Sequence, residues 1–150
     1  MKIWVDADAC PKAIKEILFR VADRTRTELT FVANQRVQVP RSEFINIIQV
    51  EQGPDVADDT IVERCAVGDL VITADIPLAS RIVKKGGRAL DPRGKLYDTE
   101  NIGQILAMRD FMDSLRGSGI DGGGSEGFGP RERQNFANLL DQILARTMQR

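Results

Sequence analysis

Asp6 and Asp8 stand two residues apart at the end of the apolar run Ile3-Trp-Val5. In a strand, residues i and i+2 point the same way. The spacing therefore predicts two carboxylates leaving a buried strand together at its carboxyl end. In open α/β sheets that edge is where ligands bind. Two neighbouring aspartates repel, and a divalent cation between them relieves the repulsion. Asp75 directly follows a second apolar run, Leu70-Val-Ile-Thr-Ala74, and caps the same kind of edge. Asp58 lies in Asp55-Val-Ala-Asp58-Asp59-Thr-Ile61. On a helix it shares the stripe of Ile61, Val62 and Cys65, whereas Asp59 aligns with Glu63 on the solvent side. A carboxylate at the end of a core stripe is costly unless it is paired or bound to metal. Asp55 has two readings, a helix N-cap or a further ligand. Asp91, before Pro92, reads as a turn residue.

The chain has no histidine, which excludes histidine-based triads, bases and metal ligands. What remains is carboxylate chemistry. Oxygen donors suit hard cations, so Mg²⁺ or Mn²⁺ is the expected cofactor rather than zinc. Asp6, Asp8, Asp58 and Asp75 form the expected catalytic cluster, and with Asp55 the expected metal site. One or two ions there would activate a water and stabilise both oxygens of an in-line phosphoryl displacement. Each aspartate taken singly also has a bland reading as a cap or turn residue. Arg81, Lys84, Lys85, Arg131 and Arg133 are candidate phosphate contacts; each also reads as part of a solvated helix face.

The elements that must position these residues follow from the apolar patterning. Strands are predicted at Lys2–Asp6, Glu28–Asn34, Phe44–Val50, Leu70–Ala74 and Arg88–Leu90. Helices are predicted from Cys10-Pro11, from Asp55 to about Val67, over Pro77–Lys85, over Asn101–Leu115 and from Pro130 onward. The first helix carries Ile14, Ile17, Leu18, Val21 and Ala22 in one stripe. The fourth is expected to turn Ile102, Ile105, Leu106, Met108 and Phe111 or Met112 inward. This alternation implies an α/β fold, a mostly parallel sheet flanked by helices on both faces. Seven of the thirteen glycines fall in 117–129, which reads as a flexible loop, either a lid or a linker, before a C-terminal helix at 130–150.

One hundred and fifty residues, 42% hydrophobic and 29% charged, fit a single domain of ordinary globular balance. No apolar run is long enough for a membrane span. The chain opens on a strand, without a basic stretch or cleavage-site pattern, so the cytoplasm is the expected location. Cys10 and Cys65 make no disulfide framework. Both read as buried small thiols, with a reactive Cys10 at a helix start as the alternative. The net charge is -1, which does not advertise non-specific nucleic-acid binding. With the five assigned carboxylates set aside, 21 basic residues face 17 of the 22 acidic ones. That balance allows a basic rim around an acidic centre.

Four motifs carry a resemblance. Val5-Asp-Ala-Asp-Ala-Cys-Pro11, Val32-Ala-Asn34, Asp55-x-Ala-Asp58-x-x-Ile61 and Gly68-Asp-Leu-Val-Ile-Thr-Ala-Asp-Ile-Pro-Leu-Ala79 resemble the YaiI/YqxD family of bacterial proteins. Asn101-Ile102, Gly129-Pro130 and Phe136 extend the likeness over nearly the whole chain. That family is similar to the PIN-like nuclease superfamily, which has a parallel α/β sheet and an acidic Mg²⁺/Mn²⁺ site. The resemblance implies that Asp6, Asp8, Asp58 and Asp75 are the acidic cluster and Thr73 the hydroxyl residue before its last member. Thr73 and Asn34 join the expected substrate-binding residues on the same ground. Position 74 is Ala, so its side chain offers substrate no hydrogen bond.

Three functions are in view. The first is a metal-dependent nuclease cutting phosphodiesters in nucleic acid, RNA ahead of DNA. The second is a haloacid-dehalogenase-like phosphatase using Asp6-x-Asp8 as nucleophile and acid/base. Gly68-Asp69 precedes its strand, however, and does not supply the later acidic motif such an enzyme needs. The third is a non-catalytic RNA-binding or regulatory module. Aromatics are only 5% of the chain, which leaves little for base stacking.

Overall fold

The computed structural model describes residues 1–117 and 128–148. The glycine-rich segment 117–129, read above as lid or linker, lies for the most part outside the described residues. Six strands form one sheet: β1 (Ile3–Asp6), β2 (Leu29–Ala33), β3 (Ile45–Gln49), β4 (Leu70–Ile72), β5 (Arg88–Leu90) and β6 (Leu96–Tyr97). Their order is β3-β2-β1-β4-β5-β6. The first five are parallel, and β6 runs antiparallel to β5. The helices are α1 (Lys12–Thr25), α2 (Val56–Arg64), α3 (Ile76–Lys85), α4 (Ile102–Gly117) and α5 (Pro130–Met148). The expected mostly parallel sheet with helices on both faces and a C-terminal helix is the architecture found. Among the described residues, no helix is long and apolar enough to cross a membrane.

The period-two rule assigns the two faces. Ile3, Val5, Phe31 and Ile72 pack beneath α1 and α5, against Ile14, Leu18, Phe136 and Leu140. Trp4, Val32 and Val71 pack beneath α2 and α3, against Ile61, Cys65, Leu78 and Ile82. Two residues beyond Trp4 and Val71 stand Asp6 and Thr73, so both belong to the α2/α3 side. Farther along that face, α4 anchors through Ile102 beside Ala89 and Tyr97.

Local chemistry sets the element ends. Gly86 closes α3 with a positive φ of 101°, its N–H donating to the carbonyls of Ile82 and Val83. Gly94 turns β5 into β6 at φ 89°, and a Cβ there would stand 2.8 Å from the Asn135 backbone. Only glycine lets that turn meet α5 so closely. Several expectations need correction. β6 was not predicted, being only two residues long. β4 stops at Ile72 rather than Ala74, because the Thr73 side chain is used in the turn. Met108 is exposed on α4, 58% accessible, rather than inward, and of the pair Phe111 or Met112 it is Met112 that is half-buried while Phe111 is exposed.

A candidate acidic active site at the switch point of the sheet

β1 lies in the middle of the sheet. From it the chain steps outward through β2 and β3, then returns to add β4 and β5 on the other side. The carboxyl ends of β1 and β4 therefore flank the point where strand order reverses, the place where open α/β sheets hold ligands. Asp6 ends β1, and Asp75 follows β4 as the N-cap of α3. The first turn of α2 adds Asp58, and the residue before that helix adds Asp55. These four carboxylates, with Arg81 of α3 and Arg109 of α4, line one cleft.

Thr73 ties the strand ends together. Its Oγ1 donates to Oδ2 of Asp6 at 3.0 Å and accepts the Asp75 N–H at 3.0 Å. Asp6 is 9% exposed. Burial raises its pKa, the Thr73 hydroxyl pulls it back, and the charges of Asp75 and Asp8 raise it further. Asp58 is pushed up to about 6 by burial and by the charges of Asp75, Asp6 and Asp55, against the opposing Arg81. The two shifts mark a cleft where negative charge is crowded and a positive charge is wanted.

Of the two readings of Asp55, helix cap or further ligand, the structure shows no capping bond, whereas Asp75 does cap its helix. Asp75 Oδ1 accepts the Leu78 N–H at 3.0 Å and so caps α3. Asp55 occupies the N-cap position of α2 with a left-handed φ of 65°, yet its side chain makes no capping bond. Its carboxylate is available to the cleft instead. Asp59 is exposed and pairs with Arg81 at 2.9 Å. Asp91 does serve the turn, accepting the Arg93 N–H at 2.7 Å.

Asp8 is placed differently from the prediction. The strand ends at Asp6, and Ala7–Ala9 form a 3-10 turn. The two-residue rule therefore no longer applies, and Asp8 leaves the face of Asp6. Its Oδ2 accepts the Asn34 N–H at 2.9 Å. Together Asp8 and Asn34 line the neighbouring cleft with Gln35 and Gln52. The Asp8 charge still reaches Asp6. Of the basic candidates, Arg81 lines the acidic cleft. Lys85 donates from Nζ to the carbonyls of Val62 and Glu63, closing the end of α2. Lys84 is its exposed neighbour in the last turn of α3, about 12 Å along the axis from Ile76. Arg131 and Arg133 sit in the first turn of α5, and Arg133 lines a groove with Glu16 and Arg20 of α1. Arg109 is the cleft residue that sequence reasoning missed. Its clearest local signal is an i, i+4 pair with Asp113, which says nothing about a cleft.

The thiols take no part. Burial pushes Cys10 up to about 12 and Cys65 up to about 11, so neither offers a thiolate at neutral pH. The expectation of buried small thiols holds.

A divalent cation fits the donor chemistry of the cleft, which is all carboxylate oxygen. Among the described residues, no three acidic or thiol side chains converge tightly enough to hold one ion by themselves. Mg²⁺ is commonly held by one or two carboxylates, completed by waters and substrate phosphates. The cleft fits that arrangement rather than a closed protein cage.

Comparison with known proteins places the chain among bacterial relatives. The family model described as "Uncharacterized BCR, YaiI/YqxD family" matches residues 4–146. A UPF0178 protein of Shewanella woodyi is 59% identical over 146 residues, covering 97% of each chain. One from Halorhodospira halophila is 61% identical over 146 residues with the same coverage. One from Pseudoalteromonas atlantica is 58% identical over 145 residues, covering 97% of this chain and 99% of its own. No solved structure matches.

Proposed function

The chain belongs to the YaiI/YqxD family, and we propose that it is a divalent-metal-dependent nuclease of PIN-like type, hydrolysing phosphodiesters in RNA or DNA. The observation that carries the reading is the crowding of Asp6, Asp55, Asp58 and Asp75 around one cleft at the switch point. There Asp58 is pushed up to about 6. A fold does not gather uncompensated carboxylates without a cost to stability, and a bound cation turns that cost into affinity.

One or two of Asp6, Asp58 and Asp75 would hold the ion, with waters and substrate phosphates completing its shell and Asp55 beside them. When bound, Mg²⁺ or Mn²⁺ supplies an activated water at neutral pH and charge stabilisation for an in-line displacement. The protein's own contribution is orientation. Thr73 fixes Oδ2 of Asp6, and the Leu78 N–H fixes Oδ1 of Asp75. Each carboxylate is thus held through one of its two oxygens. Preorganised ligands of this kind avoid reorganisation at the moment of reaction. The phosphatase alternative would need Asp8 beside Asp6 in one cleft, and Asp8 is held instead by the Asn34 N–H.

The test is incubation of single-stranded RNA and DNA with the protein and Mn²⁺ or Mg²⁺. The expected result is endonucleolytic or exonucleolytic cleavage that EDTA abolishes and that Asp6→Asn reduces by roughly 100-fold or more. Absence of cleavage with either cation, or cleavage that survives Asp6→Asn, would overturn the proposal.

A further inference from the structure

Four carboxylates around one cleft repel the very polyanion that a nuclease must admit. Some fixed positive charge has to hold the sugar–phosphate backbone at the rim. Among the described residues lining the cleft, the cations are Arg81 and Arg109. They come from two helices, α3 and α4, which pack against each other. Each guanidinium is steadied from outside the cleft. Arg81 pairs with Asp59 at 2.9 Å, and Arg109 pairs with Asp113 at 3.3 Å and Asp110 at 3.5 Å. All five side chains are substantially exposed. Such pairs contribute little, about 0–1 kcal/mol, so a phosphate can displace or share them at small cost. A guanidinium also carries five donors in a planar fork that matches phosphate oxygens two at a time. One carboxylate partner does not exhaust it.

We propose that Arg81 and Arg109 form a two-point phosphate clamp on the rim of the acidic cleft, gripping the backbone of single-stranded nucleic acid next to the phosphodiester to be cut. The proposal rests on the nuclease reading above and adds the substrate-gripping residues to it. It also discriminates. Lys84, Lys85, Arg131 and Arg133 are basic too, but none of them lines this cleft. A contact made through net positive charge alone would involve them equally, whereas the clamp would not.

The experiment is fluorescence anisotropy with a short, fluorescein-labelled single-stranded RNA, in Ca²⁺ to supply a hard cation while limiting hydrolysis, over a range of salt concentrations. Arg109→Ala should weaken binding about 10-fold, the loss of one charged contact. It should also lower the slope of log affinity against log salt by about 0.7, one phosphate on a single strand. Arg81→Ala should do the same. Arg109→Lys should restore the slope and only part of the affinity. Lys84→Ala should change neither. The clamp is overturned if wild-type protein does not bind the RNA, if Arg109→Ala leaves the slope unchanged, or if Lys84→Ala lowers it equally. Calorimetric titration of Mn²⁺ into Arg109→Ala separates the two claims. Metal binding should match wild type there, and its absence from both proteins would count against the nuclease reading rather than the clamp.

Discussion

Thr73 Oγ1 donates a hydrogen bond to Oδ2 of Asp6 across 3.0 Å, joining the carboxyl end of β1 to the turn after β4. The same oxygen accepts the Asp75 N–H. One hydroxyl thus holds two of the cleft's carboxylate residues in register, sixty-seven positions apart in sequence for the first pair. Thr73→Val keeps nearly the same shape and removes the donor. It should cost about 1 kcal/mol of stability in denaturant unfolding. It should also raise the Asp6 pKa further, because the Thr73 bond is the influence that lowers it. Carboxyl-carbon NMR titration reads that pKa. An unchanged value would mean the bond does not form in solution.

Asp58 is the place where the cleft works against folding. Its pKa is raised from an ordinary 3.8 to about 6, so the fold disfavours the charged form. A raised carboxylate is neutral in both states at low pH, and stability is lost as pH climbs through the folded value. In metal-free buffer, Asp58→Asn should therefore melt higher than wild type at about pH 7.5. Discounted for solvent screening, a gain of roughly 2–4 °C is expected. The gain should disappear near pH 4, below which wild-type Asp58 is protonated whether folded or not. A variant less stable than wild type at neutral pH would contradict the crowding argument.

Asp69 offers the opposite case, a buried carboxylate whose work is structural. It sits 5% exposed at the amino end of β4. It accepts the Lys2 N–H at 3.0 Å, the Trp4 indole N–H at 3.1 Å and the Ala66 N–H at 2.9 Å. Asp69→Ala leaves three donors without their partner and should cost about 3 kcal/mol in denaturant unfolding. Since it lies at the other edge of the sheet, Mn²⁺ binding by the folded fraction should be unchanged. A loss of metal affinity at full folding would place Asp69 in the site after all.

Much of this molecule is legible in its sequence because two physical signals are strong. Continuous apolar runs ending in aspartate mark β1 and β4 and put Asp6 and Asp75 at one edge. A helical stripe separates Asp58 from Asp59. The remainder depends on details that a one-dimensional pattern does not carry. Whether the chain leaves β1 extended or in a 3-10 turn decides where Asp8 goes, and no residue in Asp6-Ala-Asp8 announces the turn. Asp55 and Asp75 are equally good caps by type, and only the backbone shows that Asp75 takes the bond while Asp55 sits left-handed without one. Arg109 reaches the cleft because α4 packs on α3, a tertiary contact invisible in its local charge pattern. Met108 and Phe111 continue the apolar content of α4 but not its buried stripe.

The cleft of Asp6, Asp58 and Asp75 is expected to bind a divalent cation. Calorimetric titration of Mn²⁺ into wild type, Asp6→Asn and Asp8→Asn tests it most directly. Saturable binding is expected for wild type, with a loss of at least about 10-fold in Asp6→Asn and near wild-type binding in Asp8→Asn, whose carboxylate is held in the neighbouring cleft. No saturable binding by wild type, or equal binding by Asp6→Asn, would contradict that expectation.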